Sequence, residues 1–231
     1  MRRKNKRFYW AGPEEKEEMD GEEVFEELTP SQQIMLLDQI GAHLQGPQAS
    51  GPKDDFIEVS NNRIYFYSSI QRRKVMVLNK TLRELSTDIR HSATILESQP
   101  ASIFLHINSH GGDLFTGLAA VDEIIKCDVP VTSIIDGCAA SAATLMSVVA
   151  DHRQINKHAY MLIHQLSSGM WGKYSELKDE IENLDRLMEM IKSIYSEYTK
   201  LPLEKLEEIL KHDIWFDAET CLKYGLVDEI I

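Results

Sequence analysis

A β-branched run, Val129 to Ile135, meets an apolar run, Thr144 to Ala150, across the small-residue stretch Asp136-Gly137-Cys138-Ala139-Ala140-Ser141-Ala142-Ala143. The first run reads as a buried strand and the second as the body of a helix. The small residues therefore fall where a strand turns into a helix, and they let other backbone or a ligand approach closely. A helix start also offers unpaired N–H groups and a partial positive charge, which suit an oxyanion. Ser141 is the one hydroxyl in that turn and is the nucleophile candidate. The competing reading is a tightly packed turn with no chemistry.

The elements around this turn alternate between strand and helix. Arg63 to Tyr67 alternates as a strand does. Thr81 and Glu84 form a capping-box pattern ahead of Leu82, Leu85, Ile89 and Leu96, which predicts a helix starting there. Ser102 to Ile107 is a short apolar strand, and Asn108-Ser109-His110-Gly111-Gly112 is a turn. Leu114 to Lys126 is a helix with Leu118, Val121 and Ile125 facing inward. Ala159 to Ile163 is a further strand ending at His164-Gln165, and Ser167 to Gly172 is a loop. Leu203 to Leu210 is a short helix, Asp213 to Phe216 leaves it, and Asp217 caps a last helix that ends at Gly225. Strands alternating with helices imply crossover units and a mainly parallel sheet. Sites on such sheets gather at the C-terminal strand ends, where both the glycine turn and the Ser141 turn lie.

The longest helix is expected at Tyr174 to Tyr198. Leu177, Ile181, Leu184, Met188, Ile191, Tyr195 and Tyr198 recur in alternating steps of four and three, a heptad seam. A helix this long in a domain that already has a core predicts a contact between subunits.

The amino-terminal region has a different character. Residues 1–55 read as an extension and residues 56–231 as the main domain. A basic cluster is followed by an acidic block from Glu14 to Glu23, which reads as a solvated tail apart from Phe8-Tyr9-Trp10. Thr29, Pro30 and Gln32 start a short helix with Ile34, Leu37, Ile40 and Leu44 on one face, and Gly46 to Pro52 is a linker.

Charge and cysteine usage narrow the classes. A formal net charge of -12 over 231 residues argues against a nucleic-acid partner. Cys127, Cys138 and Cys221 lack metal-ligand spacing and leave one unpaired, so no metal or cofactor is expected and a reducing, cytoplasmic setting is. Acidic residues follow the basic start where a secretory leader would have its apolar core, and no apolar run reaches membrane-span length.

Acyl transfer by a serine needs a base, a carboxylate to orient it and donors for the oxyanion. Of the eight histidines, His164 follows an apolar strand and His110 lies in the glycine turn. Asp213 stands between a short helix and an aromatic segment. Spacing alone leaves this open, because a core histidine and a turn aspartate fit the same pattern.

The stretch from about Arg63 to Ile231 resembles the proteolytic subunit of the Clp protease (ClpP). The resemblance rests on Ile107 to Gly112, Gly137 to Ser141, Met161 to Gln165, His212 to Ala218 and Tyr224 to Asp228, in the family's order. It implies an α/β, ClpP/crotonase-like fold of repeated ββα units with a long handle helix. Ser141 would be the nucleophile, His164 the base, Asp213 the orienting acid, and the N–H groups of Gly112 and Ala142 the oxyanion donors. It further implies stacked homo-oligomeric rings joined through helix 174–198. Their substrates would be peptides or unfolded proteins, and their partner an AAA+ unfoldase.

The chain departs from the family at several positions. His110 and Leu166 replace prolines, Ala143 replaces a glycine, and His212 stands where arginine is frequent. The family's short axial loop is replaced by the longer extension of residues 1–55, of unrelated character, which puts unfoldase docking in doubt. The alternatives are a dedicated protease of the viral capsid-maturation type and a non-catalytic ring or assembly component. An acyl-CoA hydratase or isomerase on the same fold would instead use glutamates, and none lies near Ser141.

Overall fold

The computed structural model describes residues 57–231, so the helix expected at residues 29–44, the linker and the tail lie outside the described residues. Within them, eight strands and six helices alternate: β1 Ile57–Ser60, β2 Arg63–Phe66, α1 Arg72–Ile95, β3 Ile103–Ser109, α2 Leu114–Ile125, β4 Val131–Ala140 and α3 Ala142–Val148. They continue as β5 His152–Ile155, β6 Tyr160–Leu162, α4 Tyr174–Tyr198, α5 Leu203–Ile209, β7 Trp215–Phe216, α6 Ala218–Tyr224 and β8 Glu229–Ile230. The class is the expected α/β one.

The sheet runs in the order β1-β2-β3-β4-β5-β8, parallel except for the β1–β2 hairpin. Strand β4 is its axis, and it changes partner along its length. Thr132–Ile135 pairs with β5, whereas Cys138–Ala140 pairs with β6, and β6 pairs antiparallel with β7. The change falls at Gly137, whose φ of 90° bends the strand, opposite a register shift between Ile107 and Ser109 of β3. The stretch from Asp136 to Ala140, expected as part of the turn, is therefore strand. The turn itself reduces to Ser141, because small residues in extended conformation still pair through their backbones.

Helices cover the apolar face of the sheet. Leu78 and Leu82 of α1, Val121 and Ile124 of α2, and Leu145 and Met146 of α3 pack with Ile64, Phe66, Leu105, Ile107, Val131 and Ile135 of the strands. Every residue of α3 is buried. Helix α1 starts at Arg72, nine residues before the expected cap, because Val75 and Leu78 extend the buried stripe toward the N-terminus and packing overrides the Thr81 signal. In α2 the inward residue is Ile124 and not Ile125, a shift of one position along the stripe, while Asp113 caps the helix by accepting from the Thr116 N–H.

Two further elements differ from expectation. Strand β5 was not expected, since His152-Arg153-Gln154-Ile155 carries no apolar alternation. Polar side chains suit it because Arg153 ties several elements together. Its guanidinium donates to Asp228 through Nε at 2.9 Å and Nη2 at 2.6 Å, to the Gly225 carbonyl at 2.9 Å and to the Tyr198 carbonyl. Helix α4 has the expected ends, but its seam divides. Ile191 and Tyr195 are buried in the domain's own core with Met188 against it, while Ile181 is 53 % exposed.

The bidentate Arg153 contact holds the Asp228 carboxyl below its ordinary pKa. A depressed folded-state pKa gives stability above the ordinary carboxylate range that is lost as pH falls through the folded value. Asp228→Asn is expected to lower stability at neutral pH by about 1–2 kcal/mol. The gap from the wild type should close in acid. Urea denaturation at both pH values checks it, and a gap that is unchanged in acid contradicts it.

Candidate active site

Three neighbouring strand ends build the site. Strand β4 delivers Ser141, which is also the N-cap of α3 and has φ 55° and ψ -130°. Positive φ is unusual for a side chain other than glycine and costs on the order of 1–3 kcal/mol. The surroundings hold it there. The Ser141 N–H donates to the Leu162 carbonyl of β6 at 2.9 Å, and its carbonyl accepts from the Thr144 N–H at 2.9 Å. Backbone at Gly111 lies against the turn so closely that a Cβ there would sit 2.5 Å from the Ala140 oxygen and 2.8 Å from the Ser141 Cβ. Only glycine fits at that position.

Strand register accounts for the other two residues. Met161 pairs with Phe216 and Leu162 with Trp215, antiparallel. Continuing that register beyond β6 sets His164 opposite Asp213. Their side chains meet, with Nδ1 of His164 3.2 Å from Oδ1 of Asp213. The Gln165 N–H donates to the Leu210 carbonyl at 2.8 Å and fixes the chain just after the histidine. With Nδ1 turned to the carboxylate, the Nε2 side of the ring is left for the cavity. The Asp213 side chain is 78 % exposed and that of His164 only 25 %.

Ser141 and His164 line one cavity of about 330 Å³. No hydrogen bond joins the Ser141 hydroxyl to His164 among the described residues. Catalytic hydrogen bonds are often long without substrate. Gly112 and Ala142 line the same cavity. Gly112 bridges to Ile70, but that bridge uses the Gly111 carbonyl and the Asp113 N–H and leaves the Gly112 N–H between them out of it. The Ala142 N–H is the first of α3, which the helix does not satisfy internally. Leu184, Leu187 and Glu180 of α4 form a further wall. The heptad reading missed this role: Leu184 lies on the apolar stripe, but Leu187 and Glu180 lie beside it.

The competing side chains are engaged elsewhere. His110 lies outside the cavity, 3.9 Å from the Cys138 sulfur and edge-on to Trp215. Burial pushes the Cys138 thiol up, which keeps it protonated and a poor nucleophile. A second histidine–aspartate pair, His106 Nδ1 with Asp136 Oδ2 at 2.7 Å, was not expected from sequence. Arg63 lies 2.9 Å from its other ring nitrogen, and neither residue of the pair lines the Ser141 cavity. No cluster of three or more metal-ligating side chains occurs among the described residues, and no helix there is long and apolar enough to cross a membrane.

Comparison with known proteins bears on this arrangement. The family model described as Clp protease matches residues 59–231. The chain is 33 % identical over 167 residues to an ATP-dependent Clp protease proteolytic subunit of Ostreococcus tauri, covering 70 % of this chain and 84 % of that one. It is 28 % identical over 176 residues to the proteolytic subunit 2 of Treponema pallidum, covering 74 % and 88 %. Among solved structures, a single-residue mutant of Listeria monocytogenes ClpP1 superposes with a TM-score of 0.61 at 24 % identity, covering 71 % of this chain and 88 % of that one, which shows a shared fold. With the family model matching residues 59–231, nearly all of the described residues, this chain belongs to the Clp protease family.

Proposed function

We propose that the chain is a serine endopeptidase that hydrolyses peptide bonds inside an oligomeric chamber. The supporting observation is the His164–Asp213 contact beside a cavity that Ser141 lines. In this reading the Ser141 hydroxyl attacks the substrate carbonyl carbon while His164 Nε2 takes its proton. Asp213 orients the ring and stabilises the imidazolium, and the N–H groups of Gly112 and Ala142 receive the oxyanion. Collapse of the tetrahedral intermediate breaks the C–N bond, with the His164 proton going to the leaving amine. Water activated by the same histidine then releases the acyl group from Ser141 and regenerates the hydroxyl.

The substrates proposed are peptides and unfolded chains. The curated relatives carry ATP-dependent in their names, so an ATP-driven unfoldase is the proposed source of those chains. The second copy in the assembly is proposed to meet the N-terminal half of α4, where Tyr174 and Ile181 are exposed. Residues 1–55 are proposed to act on what reaches the chamber and not on bond cleavage, since every candidate catalytic side chain lies beyond residue 140.

A serine-reactive phosphonate should label Ser141, and Ser141→Ala should lower hydrolysis of a fluorogenic peptide by at least about 10⁴-fold with the fold intact. His164→Ala should match it, while Asp213→Asn should cost less because a mostly exposed carboxylate orients its partner weakly. Wild-type turnover in Ser141→Ala contradicts the assignment.

Ile181→Glu is expected to break the oligomer in sedimentation without unfolding the protomer, whereas Ile191→Glu should unfold it, since Ile191 is 4 % exposed. A monomeric wild type at micromolar concentration contradicts the assembly.

A chain beginning at Pro52 is expected to cleave short peptides at the full-length rate and to differ on unfolded protein. Loss of folding in that chain contradicts dispensability.

A further inference from the structure

The serine reading leaves unused a buried polar contact directly behind the nucleophile. Tyr195, on α4, is 2 % exposed, and its hydroxyl lies 2.5 Å from the hydroxyl oxygen of Thr144 on α3, itself 0 % exposed. The Thr144 hydroxyl in turn lies 2.6 Å from the carbonyl oxygen of Ser141. A carbonyl can only accept, so Thr144 spends its one proton there. Tyr195 must then be the donor to Thr144. The contact is a directed chain of two hydrogen bonds, Tyr195 O–H to Thr144 Oγ1 and Thr144 O–H to the Ser141 carbonyl. Burial pushes the tyrosine phenol up and keeps it a neutral donor.

The carbonyl at the end of this chain belongs to the same planar peptide as the Ala142 N–H. In a trans peptide the C=O and N–H point in opposite directions. Holding the Ser141 oxygen therefore sets the direction of the Ala142 hydrogen. The Thr144 N–H also donates to that oxygen, at 2.9 Å, so the carbonyl is held from two sides. Such restraint matters here because Ser141 sits at φ 55°, outside the wells where a peptide would rest unaided.

We propose that Tyr195 and Thr144 are positioning residues that aim the Ala142 N–H at the oxyanion. The inference rests on the serine-peptidase reading of the site. A plain packing role for the two hydroxyls would affect stability. A positioning role would affect the transition state, because an oxyanion forms only there.

The test compares wild type, Tyr195→Phe, Thr144→Ser, Thr144→Val and the Tyr195→Phe/Thr144→Val pair. It uses a fluorogenic peptide, a peptide aldehyde inhibitor and thermal unfolding. Wild-type hydrolysis and aldehyde inhibition test the serine reading; their absence overturns that reading and this inference with it. Given an active wild type, Tyr195→Phe is expected to lower kcat about tenfold, less than the ~10²–10³-fold that follows outright loss of an oxyanion donor. KM should stay within about twofold, since ground-state binding is untouched. Affinity for the aldehyde, whose adduct with Ser141 places an oxygen in the same position, should fall by the same factor as kcat/KM. Thr144→Ser keeps the hydroxyl and should retain activity.

The double variant separates the two roles. Thr144→Val strands the buried Tyr195 hydroxyl, and removing that hydroxyl as well should raise the melting temperature above that of Thr144→Val. It should leave kcat low, no lower than in Thr144→Val. Full kcat in Tyr195→Phe, a loss confined to KM, unchanged aldehyde affinity, or recovery of kcat together with stability in the double variant would each overturn the inference.

Discussion

The change of partner along β4 is the constraint on which the rest of the site depends. Its first half is locked between β3 and β5, and its second half pairs with β6. One strand thus serves two sets of ladder hydrogen bonds, and the bend at Gly137 accommodates both. A straight β4 would keep pairing with β5 and leave β6 without its neighbour. With β6 would go β7, since β6 is the partner it pairs with in the sheet. The two strand ends that carry His164 and Asp213 stand next to Ser141 only because β4 yields its edge to β6.

The strained turn at Ser141 is held by its surroundings and not by its own preference. A non-glycine residue at positive φ is unfavourable by on the order of 1–3 kcal/mol. Against that stand the hydrogen bond to the Leu162 carbonyl, two bonds from Thr144 to the Ser141 carbonyl and the close cover of Gly111. Each net hydrogen bond contributes about 1 kcal/mol, so together they are of the size needed. Burial of the whole of α3 adds the packing that keeps this end of β4 from relaxing.

Helix α4 joins two environments. From Met188 onward its apolar stripe packs on the core, and Tyr195 reaches the residue that holds the Ser141 carbonyl. Before that, Leu184 and Leu187 wall the cavity and Tyr174 and Ile181 face outward. One apolar stripe, with Leu187 beside it, therefore serves core packing, the cavity wall and an exposed surface. The Arg153 guanidinium, bonded to the Tyr198 carbonyl, Gly225 carbonyl and Asp228, anchors the C-terminal end of this helix to β5 and the closing segment.

Local chemistry was legible in the sequence wherever neighbours along the chain decide it. Both ends of α4, the Asp217 cap and the Gly225 stop are set by side chains within a few residues, and they can be read directly, as can the passage from strand to helix near Ser141, although its strained geometry is held from elsewhere. Resemblance of five short motifs supplied the family. What could not be read is what distant segments decide. The Thr81 cap lost to packing of Val75 and Leu78, and polar β5 formed because both its edges found partners and Arg153 found Asp228. The heptad period of α4 records an apolar stripe but not its partner, because burial in a core and burial against another chain select the same residues. Ser141, His164 and Asp213 are separated by 22 and 48 intervening residues. That His164 meets Asp213 and shares a cavity with Ser141 depends on strand register, and register is fixed by hydrogen bonds across the sheet, which no stretch of sequence contains by itself.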